Sequence, residues 1–233
     1  MVLDRFNANV DHSGCLKLLQ ESGIYVLGRL YESPYFRNNG QTWFEFDYNL
    51  FDRYKAIVDS LQNYSNILGL YMSFDDDRVE SFSTLPYKKA LTRDIKAYIK
   101  SKRYRTIPIG AFVQKHGMST SIAQFWGCGN GEITADFLLV QATEESDTLG
   151  GDTWCTNSSA DYSELIDRYR SFQVPLVFNY GCNQSLPHGY EELQQIYSDD
   201  VIKVFSGVII SEWFSNKRRS GDKGIFKIFR LVS

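Results

Sequence analysis

The sequence predicts a single α/β domain built on a largely parallel sheet, and two observations support this prediction. At 233 residues, with 43% hydrophobic and 15% aromatic content, the chain is long enough to form one large core. Short apolar segments typical of strands alternate along it with amphipathic segments typical of helices. This alternation favours right-handed βαβ units. Because no repeat or linker marks a boundary, residues 1–233 are expected to form one domain.

Helices and strands can be assigned in order along the chain. Apolar residues at helical spacing predict helices in CLKLLQESG, NLFDRYKAIVDSLQNY, LPYKKALTRDIKAYIKSK, SIAQFW, DYSELIDRYRSF and GYEELQQIYS. The second helix is expected to bury one face, which carries Leu50, Phe51, Tyr54, Ile57, Val58 and Leu61. About six strands are expected, in IYVLGRL, NILGLYMSF, TIPIGAFV, ADFLLVQA, VPLVFNY and IKVFSGVIISEWF, and the last of these is the last strong strand.

Composition limits the classes of function. The formal charge is −3 and the basic residues are dispersed except in NKRRSGDK, so nucleic acid is not an expected partner. No segment approaches the roughly 18 to 20 apolar residues of a membrane span, and MVLDRFNANVDHSG lacks the regions of a signal peptide. The four cysteines are too widely spaced for a zinc ribbon, so neither a metal ion nor a cofactor is expected.

Polar residues follow two of the predicted strands. Asp75, Asp76 and Asp77 come directly after NILGLYMSF, and Asn179 ends the apolar run VPLVF. In parallel α/β barrels the residues at the carboxyl ends of strands carry the chemistry, so both places are candidate sites. The three aspartates also suit a solvated loop or a helix N-cap, and the residues alone leave that alternative open.

Five segments carry a family resemblance, and in chain order they are VDHSGCLKLL, IYVLGRL, NYSNILGLYMSFD, RDIKAYIKSKRYRTIPIG and VPLVFNYGCN. In this order they resemble the catalytic domain of the fungal cell-wall 1,3-β-glucanosyltransferases of glycoside hydrolase family 72, and the resemblance covers nearly the whole chain. It implies a (β/α)8 TIM-barrel fold. Since MVLDRFNAN corresponds to the end of the family's second strand, the first strand and most of the second are expected to be missing.

The resemblance also implies a partner and a location. Members of the family cut internal bonds of β-1,3-glucan and rejoin the new end to another chain, so β-1,3-glucan chains are the expected partner. A secreted, cell-surface or cell-wall protein is implied, and members are GPI-anchored. Neither an anchor signal nor a C-terminal carbohydrate-binding module is visible in this sequence.

The expected catalytic residues are altered. By the resemblance, the nucleophile glutamate corresponds to Asn179 and the acid/base glutamate to Asp75, while Phe74 replaces an asparagine and Ser211 and Trp213 replace tyrosines. An amide cannot form the glycosyl ester, and Asp75 is one methylene shorter than glutamate. The resemblance therefore implies a catalytically defective member, a pseudoenzyme.

An active enzyme is the alternative interpretation. Asp75 with Asp76, Asp77 or Glu212 could form a carboxylate pair about 6.5 to 9.5 Å apart that activates water and inverts configuration. Four aromatic residues are candidates for stacking on sugar rings, although each alone is more often part of a core: Tyr71, Phe74, Tyr180 and Trp213.

Cysteines and sequons give two further predictions. The resemblance implies a disulfide between Cys155 and Cys182 and leaves Cys15 and Cys128 without a partner; four reduced, buried cysteines are the alternative. Three sequons predict N-glycosylation of a secretory protein, at Asn63, Asn157 and Asn183.

Overall fold

The computed structural model describes residues 1–3, 6–31, 48–73, 85–113, 119–141, 162–180, 197–210 and 228–231. The strands are β1 (Val2–Leu3), β2 (Val26–Tyr31), β3 (Ile67–Ser73), β4 (Ile109–Val113), β5 (Leu138–Gln141), β6 (Leu176–Tyr180), β7 (Phe205–Ile210) and β8 (Ile228–Leu231). The helices are α1 (Ser13–Glu21), α2 (Tyr48–Leu61), α3 (Leu85–Ser101), α4 (Ser119–Gly127), α5 (Ser163–Tyr169) and α6 (Asp199–Ile202). Five predicted helices and all six predicted strands are therefore present, whereas GYEELQQIYS lies mostly outside the described residues.

Contacts within the chain group the residues into two compact units. The first consists of Met1–Ala111 and Phe125–Asp136, and the second of Phe112–Gln124 and Phe137–Ser233. In the first unit, β1, β2, β3 and β4 pair in that order and in parallel. In the second, β5, β6 and β7 pair in parallel, and β8 pairs with β7 in the antiparallel direction.

The core of the first unit forms between helices and one face of the sheet. On α2 the predicted apolar face is buried except for the half-buried Phe51. It meets side chains of alternate strand residues and of α3, among them Val26, Leu30, Leu70, Met72, Leu91, Ile95 and Ile109. Gly28 lies on this same face of β2, and a Cβ there would lie 2.6 Å from Leu70 Cδ2. The absent side chain of Gly28 therefore permits the close contact between neighbouring strands.

Aromatic rings form the core of the second unit. The ring of Phe178 on β6 lies 5.9 Å from that of Tyr162, next to α5, and 5.6 Å from that of Phe205 on β7. Phe205 also contacts Tyr169 of α5, with ring centroids 6.1 Å apart. Phe178 therefore faces the helix, and since successive strand residues alternate, Asn179 faces the opposite side of the sheet.

Two lysines of α3 donate to the end of α4 and to the segment that joins α4 to β5. Lys89 Nζ donates to the carbonyl oxygens of Phe125 and Cys128 and lies 4.6 Å from the centre of the Phe125 ring. Burial at this contact lowers the pKa of Lys89. Lys96 reaches the same segment closer to β5, where it donates to Thr134 O and Asp136 Oδ1. The segment is therefore held largely through its backbone.

The seven parallel strands confirm the predicted α/β fold of the TIM-barrel type. The first of these strands, β1, has only two residues. The strand β8, of four residues, was not predicted and follows IKVFSGVIISEWF, which was expected to be the last strong strand. An antiparallel neighbour needs no crossover helix, and β8 pairs with backbone groups of β7 that an edge strand would leave exposed. No helix within the described ranges is long and apolar enough to span a membrane.

Candidate active site

Asn179 lies one residue before the end of β6, between two parallel neighbours. Its register partners are Gln141 on β5 and Ile209 on β7. The apolar run after Pro175 is covered on one face, where the ring of Phe178 packs against that of Tyr162, the residue that precedes α5. Asn179 therefore occupies the carboxyl end of a central strand, the position at which α/β barrels place functional side chains.

The side chain of Asn179 is buried and incompletely hydrogen-bonded. It is 6% exposed, and its Oδ1 atom has no hydrogen-bond partner among the described residues. A buried acceptor without a donor costs about 1 to 3 kcal/mol. The side-chain amide of Asn179 is neutral, since asparagine has no titrating group. The site can therefore offer a hydrogen-bond acceptor at this position but no carboxylate.

In the first unit, the face of the sheet opposite the helices also carries polar side chains. Leu70 and Met72 of β3 belong to the helix-facing core, so by alternation Tyr71 and Ser73 lie on the other face, and both are buried. Tyr71 is in register with Arg29 of β2 and with Gly110 of β4.

Sequence reasoning missed two residues of this face. Arg29 is a charged residue inside an apolar strand, which was a usable signal. Ser73 is the last residue of β3 and directly precedes Phe74 and Asp75, so its position at a strand end could also have identified it.

The structure places some of the predicted site residues and leaves others undescribed. Asn179 and Tyr180 are consecutive on β6, although only the backbone of Tyr180 is described, and Tyr71 belongs to the first unit. Asn63 is exposed in the turn between α2 and β3. The remaining candidates lie outside the described residues: Phe74, Asp75, Asp76, Asp77, Ser211, Glu212, Trp213, Cys155, Cys182, Asn157 and Asn183.

The two remaining cysteines lie within the described residues. Both Cys15 and Cys128 are free and exposed in the described structure, so burial as small apolar groups is wrong for this pair. In the part of the chain that the structure describes, no three His, Cys, Asp or Glu side chains are arranged to hold a metal ion.

Known proteins resemble the chain in sequence over most of its length. The family model described as Glucanosyltransferase matches residues 3–227. Protein EPD1 of Candida maltosa is 31% identical over 91% of this chain and 38% of its own length. The 1,3-beta-glucanosyltransferase gas1 of Schizosaccharomyces pombe is 31% identical over 92% of this chain and 39% of its own. The 1,3-beta-glucanosyltransferase of Arthroderma benhamiae is 32% identical over 94% and 38%.

Solved structures resemble it in fold. A mutant of Saccharomyces cerevisiae Gas2p in complex with laminaritetraose and laminaripentaose superposes with a TM-score of 0.76 and 26% identity, over 94% of this chain and 49% of the Gas2p chain. Gas2p in complex with laminaritriose and laminaritetraose gives a TM-score of 0.75 at 25% identity. The chain spans less than two fifths of the length of the first curated relative, 38%. Because the family model covers nearly all of it, the chain belongs to the glucanosyltransferase family, glycoside hydrolase family 72.

Proposed function

We propose that this chain binds β-1,3-glucan without catalysing the family's glucan transfer. The observation that carries this proposal is Asn179, a neutral and buried side chain at the end of β6, where the resemblance puts the nucleophile. Gas2p, which shares the fold, binds laminari-oligosaccharides, and this supports glucan as the ligand.

The proposed defect follows from the chemistry of a retaining glycosyl transfer. The first step forms an ester between the sugar C1 and a carboxylate oxygen, and a neutral amide is a far weaker nucleophile. The oxocarbenium-like transition state also loses the negative charge that would lie closest to C1. In an enzyme that acts through a covalent intermediate, removal of the nucleophile lowers kcat on the order of 10⁶-fold.

The acid/base position contributes a second, smaller defect in this proposal. Asp75 retains a carboxyl group, but it is one methylene shorter than the family's glutamate, and proton transfer requires heavy atoms within about 2.6 to 3.2 Å. Phe74, in place of the preceding asparagine, cannot donate a hydrogen bond to a sugar hydroxyl. Both residues therefore favour an inactive protein.

A transfer assay with a binding measurement tests the proposal. Purified protein is incubated with reduced laminaripentaose, and products are separated by mass spectrometry, while calorimetry measures binding of the same sugar. We expect binding without longer or shorter products. Transfer products would overturn the proposed inactivity, and absence of binding would overturn the proposed ligand.

Two variants sharpen the assay. Asn179→Glu alone is expected to remain inactive, because Phe74, Asp75 and Ser211 still differ and residues that act as a unit do not contribute additively. Asn179→Gln is the matched control, since it has the size of glutamate without its charge. If the wild type does form products, their loss in Asp75→Asn would identify the alternative enzyme that uses Asp75 with another carboxylate.

We also propose that the protein follows the secretory route to the cell surface or cell wall. The family membership and the exposed sequon residue Asn63 support this location. An N-glycan detected on the protein isolated from cells would support this secretory route.

A further inference from the structure

A pocket in the first unit lies apart from the strand ends at which the candidate site was sought. Its volume is about 290 Å³, and it is bordered by the loop that leads into α1, by the last turn of α2 and by the turn that follows α2. The described residues that line it all lie outside the strands. One of them, Tyr64, lies just before β3, whereas Ser73 is the last residue of β3, about 20 Å from its first. The pocket is therefore separate from the strand end that precedes Asp75.

Hydrogen bonds within the chain fix the loop that forms one side of the pocket. Asn7 Oδ1 accepts from Asn9 N at 3.0 Å, and the carbonyl oxygen of Asn7 accepts from Val10 N at 3.1 Å. The same oxygen accepts from Nε2 of His12 at 3.0 Å, and the His12 ring lies 4.6 Å from the ring of Phe6. The loop therefore has its shape before a ligand binds, which reduces the entropy that binding costs.

The lining combines aromatic residues with groups that form hydrogen bonds to hydroxyls. Phe6, His12 and Tyr64 are aromatic, and the flat apolar face of an aromatic ring suits the C–H face of a pyranose. Asn9 has an amide that both donates and accepts. Ser60 donates its hydroxyl hydrogen to Ala56 O at 2.8 Å, so its oxygen is left to accept. Sugar sites need this combination of an apolar face and several polar groups.

Asp11 supplies a charged acceptor to the pocket. Its Oδ1 accepts from Ser13 N at 2.8 Å, and this hydrogen bond holds the pKa of Asp11 below its ordinary value, so the carboxylate is ionised at neutral pH. The positive charge of Lys17 also acts on this carboxylate. A cationic ligand would therefore be repelled by Lys17, whereas a neutral ligand can donate its hydroxyls to Asp11 without that penalty.

We infer that this pocket binds one pyranose ring of a neutral glycan. With about 290 Å³ it lies at the lower end of the range of small-molecule sites, about 300 to 1,000 Å³, so it takes a single ring. The inference goes beyond the proposed function, which places β-1,3-glucan at the end of β6. It adds a second sugar site on the first unit, built from the loop before α1 and the end of α2.

NMR titration with two probes tests the inference. The probes are methyl β-D-glucopyranoside and D-glucitol, which also carries hydroxyl groups but has no ring. We expect the glucoside to shift the amide signals of Asn9, His12 and Tyr64, with a dissociation constant on the order of 1 mM for a ligand of this size, and D-glucitol to leave them in place. Equal shifts with both probes, or no saturation by the glucoside at about 10 mM, would overturn the inference.

Two variants link the binding to the pocket. Ala8→Phe enlarges a lining side chain, so the shifts should be lost. Asp11→Asn keeps an acceptor for Ser13 N and removes the charge, so binding should weaken about fivefold, the difference between a charged and a neutral acceptor. Glu21→Gln is the matched control, because it makes the same change of charge at an exposed position of α1 outside the pocket, and its affinity should equal that of the wild type.

Wild-type affinity in both pocket variants would overturn the inference, as would an equal loss in Glu21→Gln and Asp11→Asn. If Ala8→Phe does not give a wild-type circular dichroism spectrum, Asp11→Asn decides the test alone, since its exposed side chain keeps the hydrogen bond to Ser13.

Laminaripentaose, titrated against the wild type, separates this inference from the proposed function. Shifts at Asn179 and Ile209 report a sugar at the end of β6, and shifts at Asn9 and Tyr64 report a sugar in the pocket. Shifts at the strand end alone overturn the inference and leave the proposed function standing. Shifts in the pocket alone support the inference and overturn the binding of glucan at the strand end.

Discussion

Replacing Lys96 with methionine tests how the segment between α4 and β5 is held in place. Lys96 Nζ donates to Gly131 O at 3.1 Å, Thr134 O at 2.7 Å and Asp136 Oδ1 at 2.6 Å. The second oxygen of Asp136 accepts from Ile109 N at 2.7 Å, at the start of β4. Methionine retains most of the apolar stem of lysine, so Lys96→Met removes these hydrogen bonds with little loss of packing.

The expected loss follows from the burial of the two charged groups. Their side chains are 15% exposed at Lys96 and 36% exposed at Asp136. A well-buried hydrogen bond to a charged group contributes about 1.5 to 3 kcal/mol, whereas an exposed ion pair contributes about 0 to 1 kcal/mol. Because the ion pair is partly screened by solvent and the two carbonyl oxygens can turn to water, we expect a loss of about 2 kcal/mol in the free energy of unfolding.

Urea unfolding followed by tryptophan fluorescence measures this loss. With a slope of about 2 to 3 kcal/mol per molar, the unfolding midpoint should fall by about 0.7 to 1 M. Lys100→Met is the matched control, one turn further along α3. Its Nζ lies 3.7 Å from Glu132 Oε1, with side chains 84% and 76% exposed, so its midpoint should change little. Equal shifts in the two variants, or no shift in Lys96→Met, would refute the reasoning.

Three other predictions concern separate parts of the chain. Tyr98 donates to both carboxylate oxygens of Asp59 at 2.9 Å, and burial, with this bond, raises its pKa from 10.0 to about 12. Since the folded-state pKa is the higher one, the associated stability is fully present below pH 10 and is lost as the pH rises through about 12. Absorbance at 295 nm should show that Tyr98→Phe has one phenol fewer titrating near pH 12 than the wild type, and an unchanged curve would contradict this. Protein from cells should lose one N-glycan in Asn63→Gln, seen as a smaller mobility shift on enzymatic deglycosylation; equal shifts for variant and wild type would count against the site. Non-reducing peptide mapping should find Cys155 linked to Cys182, which closes a loop of about 27 residues and contributes about 3 kcal/mol; free thiols at both positions would disprove the pairing.

The helices and the parallel strands could be predicted from sequence because each carries its own local pattern. The apolar face of α2 repeats at helical spacing, and the runs that form β3 and β6 are nearly continuous, as strands covered on both faces require. The strand β8 has four residues and includes Arg230, so it lacks such a pattern. Its pairing with β7 is decided by tertiary contact, which local periodicity does not report.

The sequence could predict where the candidate site lies, at the end of a strand, but not which groups surround it. The run VPLVF placed Asn179 at a strand end, and its partners Gln141 and Ile209 follow from a register that sequence spacing does not fix. The unpaired Oδ1 atom depends on which side chains approach it in the folded chain. For the same reason the buried position of Ser73 was not predicted.

The lysines of α3 have a consequence for how the chain can vary over evolutionary time. Lys89 and Lys96 bind carbonyl oxygens of Phe125, Cys128, Gly131 and Thr134, and every amino acid supplies a carbonyl oxygen. Substitutions in residues 128–134 therefore leave these acceptors in place, provided that the backbone keeps its path. Lys89 and Lys96 cannot be replaced as easily, because each is a long cationic side chain that donates to two carbonyl oxygens. Related sequences should consequently diverge more quickly in this connecting segment than at the two lysines that hold it.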